Sequence, residues 1–323
     1  MTGGSGRLPT VARAIVDGDR RVLARTITQV ENGDPSVDRV IRSLYGRTGH
    51  APVVGITGPL GVGKSSLVNA LVGRLRSLGQ SVGVVGVDPS SPFTGGSVLG
   101  DRIRLERRAD DTGVFFRSMA SRGAAGGVAA ATREVCRLLE AAGFDVVLVE
   151  TVGSGQVDVA IRDIASTSIV VVVPHLGDEV QTLKAGLFEI ADIFCVNKVD
   201  LPGAEIAKRD LTELVNLGGR PTGWAPRIVG TSTVDPPVGI PELWDDVLAH
   251  EKFLDESGER ARGERRRLSS EIVGLARDHV GRELFDRLER DPALRRLLDE
   301  VVAHRIDPRT AADRLVRGGR RPG

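Results

Sequence analysis

The chain lacks several features that would place it in particular protein classes. Its net charge is +1 over 323 residues, so it has no global basic field that would favour nucleic acid or a membrane surface as a partner. No apolar run approaches the ~20 residues that a membrane-spanning helix needs. The N-terminus also lacks the apolar core of a signal peptide. We therefore expect a cytoplasmic protein that binds neither nucleic acid nor a membrane.

Cysteine and histidine are also scarce. The chain has two cysteines, Cys136 and Cys195, which fall in a predicted helix and a predicted strand. We interpret them as small buried hydrophobic residues rather than as a disulfide, in keeping with a cytoplasmic chain. Five histidines are scattered without the spacing of metal ligands: His50, His175, His250, His279 and His304. This pattern disfavours a Cys/His metal centre.

One glycine-rich segment predicts a phosphate-binding loop. Residues 58–65 read Gly-Pro-Leu-Gly-Val-Gly-Lys-Ser and fit G-x-x-x-x-G-K-[ST], between a predicted strand at 52–57 and a predicted helix at 66–72. In this motif backbone N–H groups surround phosphate oxygens, Lys64 reaches the β- and γ-phosphates, and the Ser65 hydroxyl ligates Mg²⁺. The predicted nucleotide contacts here are Gly58, Leu60, Gly61, Val62, Gly63, Lys64, Ser65 and Ser66.

A second segment predicts which base is bound. Asn197-Lys198-Val199-Asp200 follows the apolar run 193–196, at the end of a predicted strand. Asp200 can accept hydrogen bonds from guanine N1–H and the 2-amino group, which adenine does not offer. An unpaired buried acceptor rejects the wrong base by up to ~10⁴–10⁵-fold in favourable cases. Asn197 is predicted to brace the loop, and the Lys198 stem to cover the ring face.

The hydrophobic pattern divides the chain into three regions. Residues 1–50 form a predicted helical extension, in which Asp19 caps a helix with Leu23, Ile27 and Val30 on one face. In 51–250, continuous apolar strands alternate with helices, which predicts an α/β domain with a mainly parallel sheet covered on both faces. Residues 251–323 carry helical apolar stripes without strands, and such stripes need a partner surface, either the nucleotide domain or a second copy.

Three carboxylates are candidates for the metal side of the site. Asp88 ends the second predicted strand, Asp101 follows a glycine-rich loop, and Glu150 ends the third strand in Glu-Thr-Val-Gly153. The Gly153 amide is a candidate γ-phosphate sensor, and the glycine-rich stretches 94–100 and 153–155 are candidate switches. A helix cap or a surface ion pair is the alternative for each carboxylate.

The residues that assist hydrolysis are less constrained by the pattern. Ser154 stands where a Ras-like GTPase has its water-orienting glutamine, and Gln156 lies two residues further along. Arg117, Arg122 and Lys184 are candidate cations for the transition state. Residues 115–123 are predicted to form a loop that either senses phosphate, faces a partner or simply packs.

Several long blocks resemble one family in the same order. They are 87–102 (Val-Asp-Pro-Ser-Ser-Pro-Phe-Thr-Gly-Gly-Ser-Val-Leu-Gly-Asp-Arg), 116–123 with Gly126-Gly127, 141–156, and 177–192. The chain resembles the methylmalonyl-CoA mutase-associated GTPases of the MeaB/ArgK type over about residues 10–317. The resemblance implies a P-loop GTPase of the class grouped with signal-recognition, metallochaperone and nitrogenase-iron-protein ATPases.

The resemblance also implies roles for particular residues. Lys64 and Ser65 would bind phosphate and Mg²⁺, with Asp88, Asp101 and Glu150 around the metal and Asn197, Lys198 and Asp200 on guanine. The late base loop would include Ser232 and Thr233, and Gly177–Lys184 would be a third switch that assists hydrolysis. The candidate catalytic residues are thus Lys64, Glu150, Gln156 and Lys184.

The family further implies a homodimer formed through the C-terminal helices, with GTP, GDP and Mg²⁺ as ligands. The partner would be an adenosylcobalamin-dependent acyl-CoA mutase, whose cofactor loading the GTPase gates and which it protects. Departures from the family pattern fall at Ser154, at Ala124-Ala125 and at Thr231-Ser232-Thr233 with the following Val-Asp-Pro-Pro. A P-loop kinase or transport ATPase and a nickel metallochaperone GTPase are the alternatives, disfavoured by Asp200 and by the scattered histidines.

Overall fold

The structure is a computed structural model that describes residues 8–89, 111–121, 127–151, 161–174, 186–217 and 223–318. Its contacts divide the chain into two compact units, residues 1–263 and 264–323, and each is described by itself. In the described part of the chain, no helix is both long and apolar enough to cross a membrane.

Three helices precede the sheet: α1 (Thr10–Val16), α2 (Arg20–Glu31) and α3 (Asp38–Leu44). Asp19 is the N-cap of α2, because its side chain accepts hydrogen bonds from Arg21 N at 2.9 Å and Val22 N at 3.0 Å. Such a cap satisfies helix amides that have no partner within the helix. The apolar face of α2 is buried, as its periodicity predicts.

The first unit is built on a parallel sheet. Its strands are β1 (Val53–Thr57), β2 (Val82–Pro89), β3 (Val114–Ser121), β4 (Val146–Thr151), β5 (Thr167–Val172), β6 (Ile193–Asn197) and β7 (Arg227–Thr231). In the described residues their order is β3-β2-β4-β1-β5-β6-β7, and every neighbouring pair is parallel. The carboxyl ends of all these strands therefore lie along one edge.

Among the described residues, three longer helices lie between strands, α4 (Lys64–Ser77), α5 (Gly127–Ala141) and α6 (Ala204–Leu217), and a fourth, α7 (Ile240–Ser257), follows β7. Strand β4 shows that both sheet faces are covered. Val147 and Val149 join one core cluster, whereas Val146 and Leu148 join the other. Because successive strand residues face opposite ways, helices must pack on both faces. The predicted mainly parallel α/β fold is confirmed.

One element differs from the sequence prediction. Residues 115–123 were expected to form a loop, but Val114–Ser121 is strand β3, paired with β2 from Val82↔Val114 to Pro89↔Ser121. The aromatic and small residues of this segment interleave with Arg117, so its apolar run is broken. In the structure β3 lies at the end of the strand order, where a less apolar sequence is tolerated.

The C-terminal part of the described chain is helical. It contains α8 (Glu259–Arg290), α9 (Pro292–Val302) and α10 (Pro308–Gly318), as the stripes without strands predict. The alternating pattern of residues 51–250 also predicts a helix at 179–191. Residues 179–185 of that range lie outside the described residues, and a short helical turn covers Phe188–Ile190.

Both cysteines are free and buried, which confirms their interpretation as small hydrophobic residues. Burial raises the pKa of the Cys195 thiol to about 12, against a smaller opposing effect of its contact with Thr231. Burial raises the pKa of the Cys136 thiol as well. Both thiols therefore stay protonated in the folded protein at pH values where they ionise in the unfolded chain, whose thiols have a pKa near 8.5.

This difference predicts an alkaline loss of stability. As pH rises above ~8.5 the unfolded chain loses up to two more protons at these sites than the folded one, so the free energy of unfolding falls with a slope that approaches about 2.7 kcal/mol per pH unit between pH ~9.5 and 11. Urea unfolding at pH 8, 9 and 10 measures the slope, and Cys136→Ala/Cys195→Ala is the matched control that removes this contribution. Equal slopes in the two proteins would contradict the assignment.

Candidate functional site

The predicted phosphate loop joins β1 to α4 at the carboxyl edge of the sheet. Gly58 has φ 142° and Gly63 has φ 92°, a region that residues with a side chain rarely adopt. A Cβ at Gly58 would lie 2.2 Å from Val171 O, and one at Gly63 would lie 2.6 Å from Asn197 Nδ2. Glycine is therefore required at both positions, and the loop leads directly into the N-terminus of α4, where anions bind.

Lys64 lies folded over this loop. Its Nζ donates to Gly58 O and to Pro59 O, each at 2.7 Å, and the residue is 6% exposed. These carbonyls hold the ammonium where bound phosphate oxygens are expected. An anion is a stronger acceptor for a buried ammonium than a neutral carbonyl, so the position suits phosphate binding.

Ser65, the residue after Lys64, contacts Glu150 of β4. The Ser65 hydroxyl donates to Glu150 Oε1 at 2.6 Å, and Glu150 is buried near the end of β4. A hydroxyl and a carboxylate are the hard oxygen ligands that Mg²⁺ takes in nucleotide sites. The donor set therefore fits the predicted metal, in direct contact or through water.

Of the other two metal-ligand candidates, only the backbone of Asp88 is described. Gly86 of β2 pairs with Glu150 of β4, so the backbone of Asp88, two residues later, lies at the same sheet edge. The side chain of Asp88 and all of Asp101 lie outside the described residues. The same holds for Gly153, Gln156, Lys184 and Arg122, and their roles stay predictions.

The predicted base loop follows β6 and contacts the phosphate loop directly. Asn197 is fully buried, its Nδ2 donates to Val62 O at 2.8 Å, and its Oδ1 accepts from Thr231 Oγ1 at 3.1 Å. Lys198, at φ 60°, donates from Nζ to Gly61 O at 2.9 Å. These bonds join the two motifs into a single candidate site.

Asp200 is held by the loop after β7. Ser232 Oγ donates to Asp200 Oδ1 at 2.5 Å, and the Ser232 backbone pairs with Val238 in both directions at 3.0 Å. A carboxylate accepts several hydrogen bonds, so a fixed and exposed Asp200 retains acceptor capacity for guanine N1–H and the 2-amino group. Thr233 follows at the same loop and is partly buried.

The remaining phosphate-loop candidates also occupy this region. Leu60 is exposed at the loop, Val62 is buried against α4 and its neighbours, and Ser66 is partly buried in the first turn of α4. Thr231 was missed as a site residue. Its place at the end of β7, next to the strand that carries Asn197, is a signal that the strand pattern could have provided.

Arg117 is not available to the phosphates in this structure. Its guanidinium binds α2, with Nε donating to Glu31 Oε1 at 3.0 Å and Nη2 donating to Thr28 Oγ1 at 3.0 Å and to Glu31 Oε2. The hypothesis that Arg117 is a transition-state cation is therefore wrong for this arrangement. Arg117 fastens the N-terminal helices to β3.

The fold and the two loops define a P-loop GTPase. The sequence profile of the methylmalonyl Co-A mutase-associated GTPase MeaB family matches residues 23–289. The chain therefore belongs to this family, and the resemblance stated from the sequence is confirmed, as is the predicted GTPase class.

Similar proteins cover nearly the whole chain. A GTPase homologue from Pyrococcus abyssi is 45% identical over 304 residues, which are 93% of this chain and 93% of the relative. The GTPase ArgK of Escherichia coli is 32% identical over 311 residues, 94% of each chain. A solved structure described as a LAO/AO transport system kinase is 26% identical, with a TM-score of 0.71 over 98% of this chain and 99% of that one.

Proposed function

We propose that this chain is a Mg²⁺-dependent GTPase that acts as a chaperone for an adenosylcobalamin-dependent acyl-CoA mutase. The observation that carries the GTPase part is the direct bonding of the base loop to the phosphate loop through Asn197 and Lys198. The family description, which names association with methylmalonyl-CoA mutase, supports the partner. The chaperone would gate cofactor loading and protect the mutase.

The geometry supports a specific role in hydrolysis for each of Lys64, Ser65 and Glu150. Water attacks the γ-phosphorus and the bond to the GDP oxygen breaks, so the site must position the nucleotide and stabilise charge rather than form a covalent bond. Lys64 exchanges its two carbonyl partners for β- and γ-phosphate oxygens. Ser65 and Glu150 would hold Mg²⁺, which would neutralise phosphate charge that develops during hydrolysis.

Base recognition is assigned to the second loop. Asp200, oriented by Ser232, accepts from guanine, while the Lys198 stem covers one face of the ring. This arrangement disfavours a P-loop kinase or transport ATPase that uses ATP, because adenine lacks the N1–H and 2-amino donors. For a nickel metallochaperone, a binding cluster is needed, and the described residues contain no group of three potential metal ligands.

The chaperone part is tested by cofactor transfer. The full chain is mixed with an apo acyl-CoA mutase and adenosylcobalamin, with GTP, GDP or no nucleotide, and loading is followed by the cobalamin absorption spectrum. We expect the rate of loading to depend on the nucleotide and on the chain together. Loading at the same rate in all mixtures, with several acyl-CoA mutases, would refute the proposed role while leaving the GTPase assignment intact.

We also propose that the chain forms a homodimer through its C-terminal helices. Several large apolar side chains of α8 and α9 are exposed in the described chain, which is typical of a protein interface: Ile272, Val273, Leu275, Val280, Phe285, Leu298 and Val302. A second copy of the same helices would cover them with a matching apolar surface.

The substitution Phe285→Asp tests this interface. Phe285 is 60% exposed, so a charge there costs the folded monomer little, but it would have to be desolvated inside an apolar interface. We expect wild-type protein to elute as a dimer in size-exclusion chromatography with light scattering, and Phe285→Asp as a monomer. Leu217→Asp, at an 83% exposed position of α6, is the control and should remain dimeric. A dimeric Phe285→Asp would overturn the assignment.

A further inference from the structure

Two buried threonines end the neighbouring strands β1 and β4. Thr57 and Thr151 are 0% and 1% exposed, and the Thr151 hydroxyl donates to Thr57 Oγ1 at 2.9 Å. The backbone register of these parallel strands runs from Val53↔Val147 to Ile56↔Glu150. The hydrogen bond between the two hydroxyls therefore extends the pairing by one residue, at the last residue of each strand.

Each threonine adjoins a group that the chemistry uses. Thr57 precedes Gly58, whose carbonyl accepts from Lys64. Thr151 follows Glu150, whose carboxylate accepts from Ser65. Thr151 also leads into the segment of the candidate second switch. The hydroxyl bond thus joins the phosphate side of the site to its metal side, through a pair of residues 94 positions apart in the sequence.

We propose that Thr57 and Thr151 are positioning residues for GTP hydrolysis. Their bond keeps the entry to the phosphate loop at a fixed distance from Glu150, and so keeps Lys64 in register with the metal ligands. Ground-state nucleotide binding tolerates small displacements because many backbone amides share it. The transition state does not, since a displacement of ~1 Å costs up to ~10²-fold in rate. This inference concerns hydrolysis itself and does not depend on the mutase partner.

The substitution Thr151→Val tests the pair, because it removes the hydroxyl and keeps the shape. We expect kcat to fall by about 10-fold, with KM for GTP and the affinity for GDP within about 2-fold. Thr151→Ser restores the hydroxyl, and we expect it to recover most of kcat. Single-turnover hydrolysis with excess protein gives the rate, and nucleotide titration gives the affinities.

Thr26→Val is the matched control. Thr26 is equally buried, and its hydroxyl donates to Val22 O at 2.9 Å within α2, far along the chain from the nucleotide loops. We expect this variant to lower the melting temperature as Thr151→Val does, because each substitution removes one buried hydrogen bond. We expect it to leave kcat unchanged.

Two results would overturn the proposal. If Thr151→Val and Thr26→Val have the same kcat at a temperature where both are folded, the pair is only structural. If Thr151→Ser is as slow as Thr151→Val, the bond is not responsible. Should Thr151→Val fail to fold, Thr57→Val removes the other hydroxyl of the pair. We expect the same result for it, a lower kcat with KM for GTP and the affinity for GDP nearly unchanged. Where both single variants fold, the double variant Thr57→Val/Thr151→Val should cost about as much in kcat as either single one, and additive losses would refute the coupling.

Discussion

Asp200→Asn is expected to lower the affinity for GDP by about 10²–10⁴-fold, because two hydrogen bonds to a charged acceptor contribute ~1.5–3 kcal/mol each. Asparagine keeps the shape of the side chain and replaces one acceptor oxygen with an amino donor. That donor faces the guanine 2-amino group, which is also a donor. Ser232, which holds Asp200 at 2.5 Å, can still donate to the remaining oxygen, so the loop should keep its conformation.

The same substitution should create a new preference. Xanthine carries N1–H and a carbonyl at C2, so an amide can accept from the first and donate to the second. We expect Asp200→Asn to bind xanthosine diphosphate more tightly than GDP, measured by calorimetry with GDP, ADP and xanthosine diphosphate. Asp210→Asn is the control, since Asp210 is an exposed α6 residue that pairs with Arg209. Unchanged GDP affinity in Asp200→Asn would show that this carboxylate does not read the base.

Lys64→Met is expected to reduce GTP hydrolysis by about 10²–10³-fold, the usual loss when one preorganised charge-stabilising donor is removed. Methionine retains most of the buried stem, and the carbonyls of Gly58 and Pro59 lose a donor. Nucleotide affinity should fall as well, more for GTP than for GDP, because we expect the ammonium to contact the γ-phosphate, which GDP lacks.

The control for this substitution is Lys252→Met, a change of the same chemistry at an exposed position of α7 that pairs with Glu256. We expect Lys252→Met to hydrolyse GTP at the wild-type rate. If Lys64→Met hydrolyses GTP at more than about a tenth of the wild-type rate, the Lys64 ammonium is not the main group that stabilises the charge on the phosphates.

The parts of this site that the sequence predicts are those with local physical requirements. The phosphate loop is recognisable because glycine must stand at positions such as Gly58 and Gly63, where φ is positive and a Cβ would collide with Val171 or Asn197. The buried strands are recognisable as continuous apolar runs, and Asp19 is recognisable as a helix cap. In each case a short stretch of residues contains the whole signal.

What the sequence does not predict depends on distant residues. Arg117 pairs with Glu31, 86 residues earlier, and nothing around Arg117 indicates that the N-terminal helices would bind it. The bond between Thr57 and Thr151 likewise needs the strand order, because β1 and β4 become neighbours only after the sheet forms. Strand β3 was missed because an arginine interrupts its apolar pattern, and its pairing with β2 outweighs that local signal.

The rate of hydrolysis by the chain alone follows from the sequence near the second switch. Ser154 stands at the position of the water-orienting glutamine in Ras-like GTPases, and a shorter hydroxyl side chain reaches the attacking water less readily. We therefore expect slow turnover in isolation and completion of the site by the partner. Arrangements in which a partner supplies the missing group raise the rate by about 10³–10⁵-fold.

The proposed GTPase and its mutase partner are tested together by measuring GTP hydrolysis by the purified full chain, with and without a stoichiometric amount of an adenosylcobalamin-dependent acyl-CoA mutase. We expect slow hydrolysis by the chain alone, strong stimulation by one mutase, and loss of the stimulated GTP hydrolysis in Asp200→Asn. Full-speed hydrolysis by the isolated chain, with no stimulation by any acyl-CoA mutase, would contradict this expectation.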